Sequence, residues 1–563
     1  MELLIKNGYV YDPINKINGE KMDIAVKDGK IVESVSSDAK VIDATNMLVM
    51  PGGVDIHSHI AGSKVNSGRI LRPEDHYKDV KPRTAITRAE VGHTVPSTYT
   101  IGYRYARLGY TTVIEAASPP LKTRHTHEEL NDIPLIDKSC YLVLDNNWIV
   151  LDYLSQGEID KCAAFVAWIL KALKGYAIKI VNPGGVELWG WGKNVESLDD
   201  QVPPFNITPR EIIRGLCKIN KILNLPHTIH LHTNNLGKPG NYRTTIETMD
   251  TVKDLADGKP NIHVTHVQFC GYGGDSWITL RSGAPEIAKY VNNHNHVTID
   301  LGQVVFGDAT TMTGDGPFQF ILQNLTGNKW KNADVEAEGS AGIVPYKYKR
   351  KNFVNAVQWT IGLELALLIK DPWRVFLTTD HPNAGTFMKY PRVITWLMSK
   401  VAREKVLNKI NKRAKKRSTL PSIDREYTFY EIAIVTRAAT AKALNLANKG
   451  HLGVGADADI AIYNINPMEI DPSKEYKKVR RALKRAAYTI KGGEIIVKDG
   501  EIVKSFIGET FWVKPAIPED LEKDMLREVS EKFKEYYTVS LENYIIGENE
   551  LASSKPIAVK TNL

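Results

Sequence analysis

The sequence predicts an α/β fold, a (β/α)8 barrel of TIM type joined to a small composite β-sandwich domain built from both chain ends. Three observations predict it. Short apolar strand-like runs alternate with helix-like stretches through the middle of the 563-residue chain, the pattern of a parallel sheet with crossover helices. β-rich blocks punctuated by turn residues stand near both ends. Metal-competent side chains recur at the C-terminal ends of the central strands, which a parallel barrel gathers at one mouth.

The first block, residues 1–50, carries the runs Leu3–Val10, Asp23–Lys27, Lys30–Val35 and Lys40–Ile42, separated by Asp12-Pro13 and Lys27-Asp28-Gly29. Its partner, residues 450–510, carries Ala458–Tyr463, Ala487–Ile490, Glu494–Lys498 and Glu501–Val503. Together they predict one composite domain. The barrel is assigned to 51–449, with strands expected at Thr111–Ala116, Ala177–Val181, Thr228–His232, His263–Val267, Val297–Leu301 and Val375–Thr379. About 320 residues separate His57 from the last of these, and the whole of a simple barrel takes only ~250. The excess is placed in insertions at about 61–98 and 305–355, of the kind that serve as lids, substrate loops or subunit contacts. In the tail, 511–563, Leu521, Met525, Val529 and Phe533 recur every four residues behind Pro518, which predicts an amphipathic helix docked on its own chain or on a partner.

Composition excludes several function classes. The four cysteines, Cys140, Cys162, Cys217 and Cys270, form no C-x-x-C pair, which argues against a disulfide framework, a zinc ribbon or an iron–sulfur cluster and points to a reducing cytoplasm. The N-terminal residues lack the pattern of a signal peptide, and no apolar run approaches the ~20 residues of a membrane span, so membrane insertion is not expected. Net charge is +8, with basic clusters at Lys409–Arg417 and Lys474–Arg485. These read as solvated faces, or as sites for a polyanionic substrate or acidic partner; without interleaved aromatics they do not predict nucleic-acid binding.

The chemistry-bearing residues begin at Val49–His59, Val-Met-Pro-Gly-Gly-Val-Asp-Ile-His-Ser-His. On a strand, His57 and His59 share one face and form half of a site for a borderline-soft divalent metal. Lys179 stands inside the apolar run Ala177–Val181, just before Asn182-Pro183-Gly184-Gly185. Burying an ammonium there is costly. It is either snorkelling or ion-paired, or it has a depressed pKa and reacts with CO₂ to a metal-bridging carbamate. His230 and His232 alternate onto one face, and spacing alone does not choose between them. His266 closes Ile262–His266, and Asp380 closes Val375–Asp380 before His381-Pro382.

Pro51–His59 resembles the opening motif of the amidohydrolase superfamily, which includes urease, dihydroorotase and hydantoinase, and His451–Ile460 resembles its late sheet motif. His232–Leu236 and His266–Gly274 are similar to urease segments, which favours His232 over His230. More narrowly, nearly the whole chain resembles the A-subunit family of the formylmethanofuran dehydrogenases of methanogenic archaea. That likeness is carried by His57–Asn66, by Lys179–Gly192 and by Thr378–Gly385.

The resemblance implies a metal-dependent hydrolase barrel with two divalent metals, zinc being the expected ion. His57, His59 and Asp380 would hold the more buried metal and His232 and His266 the more exposed one. Lys179, as N6-carboxylysine formed with CO₂, would bridge them, and Asp380 would also move the catalytic proton. The implied reaction is condensation of formate with the amine of methanofuran to N-formylmethanofuran, and its reverse hydrolysis, in the first step of CO₂ reduction to methane. The implied partners are other subunits of that enzyme, including a tungsten or molybdenum pterin iron–sulfur subunit that makes the formate. Rival readings are a formylmethanofuran hydrolase subunit of a formyltransferase/hydrolase complex, a hydantoinase-like cyclic-amide hydrolase, and a scaffold that has lost its metals.

Overall fold

The computed structural model describes residues 2–332 and 342–563. Eight parallel strands form the barrel: Gly53–Ser58, Tyr110–Ser118, Asp137–Val143, Ala177–Val181, Ile229–His232, Ile262–Val264, Val297–Asp300 and Val375–Phe376, each paired with the next in that order. The barrel closes where Ser58 bridges His381 in parallel register and His59 N donates to His381 O at 2.7 Å. Register lays His230 beside both Lys179 and His263, so these side chains form one inward layer. The Gly52-Gly53 pair has a steric reason: a Cβ at Gly53 would sit 2.5 Å from the Tyr110 ring, and one at Gly52 would sit 2.3 Å from Thr111 Oγ1. Only glycine lets the first strand enter against the second.

Seven of the eight strands coincide with expected runs or with the His57 motif. The third, Asp137–Val143, is not among the expected strands because it opens Asp-Lys-Ser, yet all seven of its residues are buried. Tertiary partners make this tolerable. Asp137 Oδ2 lies 2.6 Å from Lys449 Nζ and 2.9 Å from Lys491 Nζ, and Lys138 Nζ donates to Ile133 O and Gly508 O.

Strands from both chain ends form one hydrogen-bonded, mostly antiparallel nine-stranded sheet, joined where Ile460–Tyr463 pairs with Leu48–Pro51. Leu3, Ile5, Val26, Val49, Ile460, Ile462 and Ile490 share its apolar core. Beyond that sheet the chain returns to the barrel. The tail helix, Glu519–Tyr536, buries Met525, Val529 and Phe533 against the barrel helices Trp148–Ser155 and Ile159–Ala172. The tail is more than helical: Thr510–Pro515 and Ser554–Val559 pair in parallel and extend the barrel sheet at the third strand. Phe511-Trp512-Val513 carries a strand signal that a helical reading of the tail misses, whereas Ser554–Val559 carries little; the edge beside Lys138 supplies the pairing.

Both insertions fold over the barrel mouth. The first contains the helix Ser63–Leu71. The second contains the hairpin Gly307–Thr313 with Gly342–Tyr348 and the helix Gly316–Thr326; its residues 333–341 lie outside the described residues. Val65, Val95, Met312 and Ile343 form a small core between the two insertions, and Arg72 spans them, its Nη1 bonded to Thr94 Oγ1 at 3.2 Å and Thr310 Oγ1 at 2.9 Å.

Candidate metal centre

His57, His59, Lys179, His232, His266 and Asp380, drawn from five strands and more than 300 positions apart at the extremes, line one cavity. All six are buried. His57 Nε2 lies 3.0 Å and His59 Nε2 3.3 Å from Asp380 Oδ1, so two imidazole nitrogens and a carboxylate oxygen converge on one point. That trio is a donor set for a divalent ion. Lys179 Nζ is buried and has no hydrogen-bond partner among the described residues, and neither has His266 Nδ1. Burial lowers the lysine to about 7, so an appreciable fraction is neutral at physiological pH. An orphaned amine and an orphaned imidazole nitrogen beside a His–His–carboxylate trio fit a site whose remaining partners are divalent ions.

Local backbone geometry aims these groups. His266 and Asp380 follow the sixth and eighth strands in left-handed conformation, at φ 36° and 45°. Such geometry costs a non-glycine residue of order 1–3 kcal/mol and persists where surrounding structure enforces it. Gly302, at φ +57°, leaves room for His266: a Cβ there would lie 2.4 Å from His266 Cβ.

The residues that surround this set carry no comparable motif in the sequence. Glu115, on the second strand, lies 3.2 Å from His59 Nδ1 and accepts from Lys64 Nζ (2.8 Å), Ile60 N (2.7 Å) and Ala61 N (3.0 Å). Burial alone would raise its pKa, but the Lys64 ammonium and His59 outweigh it and hold it at about 2. Asp300 ends the seventh strand as Asp380 follows the eighth, so the signal that marks one was available for the other. It lies 3.0 Å from His263 Nε2 and accepts from Thr378 Oγ1 (2.6 Å) and His266 N (3.0 Å). Asp315, from the second insertion, lies 3.2 Å from His232 Nε2 and accepts from Asn182 Nδ2 at 3.1 Å. Asn383 Nδ2 donates to Asp380 Oδ1 (2.9 Å), and its own Oδ1 accepts from Met312 N (2.5 Å), which ties the insertion hairpin to the acid. His232 faces the cavity, whereas His230, one layer below, lies 2.7 Å from His57 Nδ1.

A parallel barrel with a convergent His, Lys and Asp cluster at its C-terminal mouth defines a metal-dependent hydrolase site. The family model described as "Amidohydrolase family" matches residues 40–497, and the chain belongs to that family. It is 56% identical over 99% of both chains to the protein FwdA of Methanocaldococcus jannaschii. It is 38% identical, over 87% of each chain, to the A component of the formyltransferase/hydrolase complex Fhc of Methylorubrum extorquens. The crystal structure of that complex with methylofuran contains a chain that superposes with TM-score 0.89 at 34% identity, covering 99% of this chain and 100% of that one. Among the described residues no helix is long and apolar enough to cross a membrane.

Proposed function

We propose that this chain is the amide-bond subunit of a formylmethanofuran dehydrogenase, condensing formate with the primary amine of methanofuran and running the reverse hydrolysis. The observation that carries the reading is the complete convergent set of six side chains around an unpartnered Lys179, in a chain 56% identical to FwdA. His57, His59 and Asp380 would hold one divalent ion and His232 and His266 a second, with zinc the expected metal and Lys179, once carbamylated, supplying a further anionic ligand. When bound, such a pair polarises a carbonyl oxygen and lowers the pKa of water toward neutrality.

The chain's own groups divide the remaining work. Glu115 and Asp315 orient His59 and His232 by accepting at their ring nitrogens. Two protons leave the ammonium nitrogen, one to free the amine and one as the C–N bond forms, and the Asp380 carboxylate carries them to the departing oxygen, so that formate and ammonium give formamide and water. Asn383 Nδ2 donates to Asp380 Oδ1 and keeps the carboxylate aimed. The insertions cover the mouth and exclude bulk water, which competes with the amine. Formate is supplied by a partner subunit carrying a tungsten or molybdenum pterin and iron–sulfur centres. The likeness to a chain of a multi-subunit complex and the absence of clustered cysteines here support that division of labour.

The test is formyl release from N-formylmethanofuran by the zinc-loaded chain. Asp380→Asn is expected to lower it by about 10²–10⁴-fold, the range for loss of a general acid–base. Undiminished turnover would remove Asp380 from the mechanism.

A further inference from the structure

Below the cavity a line of buried histidines ends on a main-chain carbonyl. His227 Nδ1 lies 2.8 Å from Ala443 O, His227 Nε2 lies 3.0 Å from His230 Nδ1, and His230 Nε2 lies 2.7 Å from His57 Nδ1. The three side chains are at most 1% exposed. A carbonyl oxygen only accepts, so the first link requires the proton on His227 Nδ1. A neutral imidazole has one N–H, which leaves His227 Nε2 as a lone pair that accepts from His230 Nδ1–H. Repeating the step leaves His230 Nε2 to accept from His57 Nδ1–H. Thr265 Oγ1, 2.6 Å from the same His57 nitrogen, offers that proton a second acceptor.

His57 Nε2 is then left with its lone pair, and it is the nitrogen that faces Asp380. The opposite set of tautomers would turn a bare His227 Nδ1 against the Ala443 oxygen, setting two lone pairs 2.8 Å apart. An extra proton on the line would put a charge in a fully enclosed layer. Burial accordingly depresses His227 to about 3.

We propose that the chain Ala443 O, His227, His230 and His57 is a tautomer relay that fixes Nε2 of His57 as its lone-pair atom toward the metal position. His227 and His230 are therefore positioning residues. The inference rests on the reading of His57 as a metal ligand. His59 receives its orientation from an anionic partner, Glu115. His57 Nδ1, by contrast, meets the neutral His230 ring and the Thr265 hydroxyl, with the Asp300 carboxylate farther off at 3.9 Å.

The experiment measures zinc retention by the full-length, CO₂-equilibrated protein against a competing chelator. It compares wild type with His227→Phe, His230→Phe, His227→Gln and His230→Gln. Phenylalanine keeps the volume but neither accepts nor donates; glutamine does both, through Oε1 and Nε2. The Phe variants are expected to lose about 10–100-fold in zinc affinity and the Gln variants to stay within about threefold of wild type. A purely structural role would not be rescued selectively by an acceptor–donor side chain. Because a Phe variant can fail to fold, the wild-type protein labelled with ¹⁵N-histidine gives a second readout: both His227 and His230 should be Nδ1–H tautomers. Phe variants that hold zinc like wild type, Gln variants no better than Phe, or an Nε2–H tautomer at either ring would overturn the relay. Wild-type protein that holds no zinc would instead overturn the metal assignment, and the relay with it.

Discussion

At the residue scale, Lys179 decides how the site is assembled. Its ammonium is disfavoured because the amine is enclosed and unbonded. A carbamate forms only from the neutral amine, and with a value of about 7 that form dominates above neutrality. At fixed dissolved CO₂, the ¹³C signal of the Lys179 carbamate in metal-free protein should rise as pH increases through about 7 and then level off. An onset near the ordinary lysine value of about 10.4 would show that burial does not tune the residue. The same shift has a sign in stability. The folded value lies below the unfolded one, so the unfolded chain binds more protons between the two and the metal-free fold gains stability as pH rises through that window.

At the element scale, the insertions are structural partners of the site as well as covers over it. Asp315 and Asn383 reach His232 and Asp380, and Asn383 is itself held by Met312 N of the insertion hairpin. Arg72 is one of several polar ties between the two insertions, beside Lys78–Asp308 and Thr94–Thr310. Arg72→Ala removes charge-assisted hydrogen bonds to Thr94 and Thr310, each worth about 1.5–3 kcal/mol. Hydrogen–deuterium exchange over Gly307–Thr313 should accelerate accordingly. Exchange unchanged from wild type would mean that the small apolar core of Val65, Val95, Met312 and Ile343, with Lys78–Asp308 and Thr94–Thr310, holds the insertions together without it.

At the scale of the whole molecule, a buried ion cluster joins the barrel to the composite sheet. Asp137 of the third strand meets Lys449 and Lys491, and both lysines also meet Asp459. Burial alone would raise the Asp137 pKa, but the two ammonium groups hold it well below the usual carboxylate range. Its folded value is therefore below its unfolded one, and its contribution is complete above about pH 4 and lost only as pH falls toward the folded value. Asp137→Asn removes the carboxylate that both ammonium groups share and leaves Lys491 only Asp459, which Lys449 also uses, at a cost of about 3–5 kcal/mol. Thermal inactivation of that variant should be faster than wild type at pH 7, and an equal rate would show that Asp457 and Asp459 suffice for the two lysines.

The sequence by itself determined what depends on local period and residue chemistry. Apolar strand-like runs and the His57 motif marked seven barrel strands, and the alternation in His57-Ser58-His59 placed both imidazoles on one face. The repeat every four residues through Leu521, Met525, Val529 and Phe533 marked the tail helix. Tertiary structure decided whatever depends on a partner distant in the chain. Asp137–Val143 is a strand because lysines more than 300 residues later neutralise its acid. Ser554–Val559 is a strand because Thr510–Pro515 offers it an edge. His230 and His232 share a face and a residue type, and only depth in the barrel separates them: one meets His57 from below, the other opens on the cavity. Strand period fixes direction, whereas depth is set by how eight strands stagger as they close.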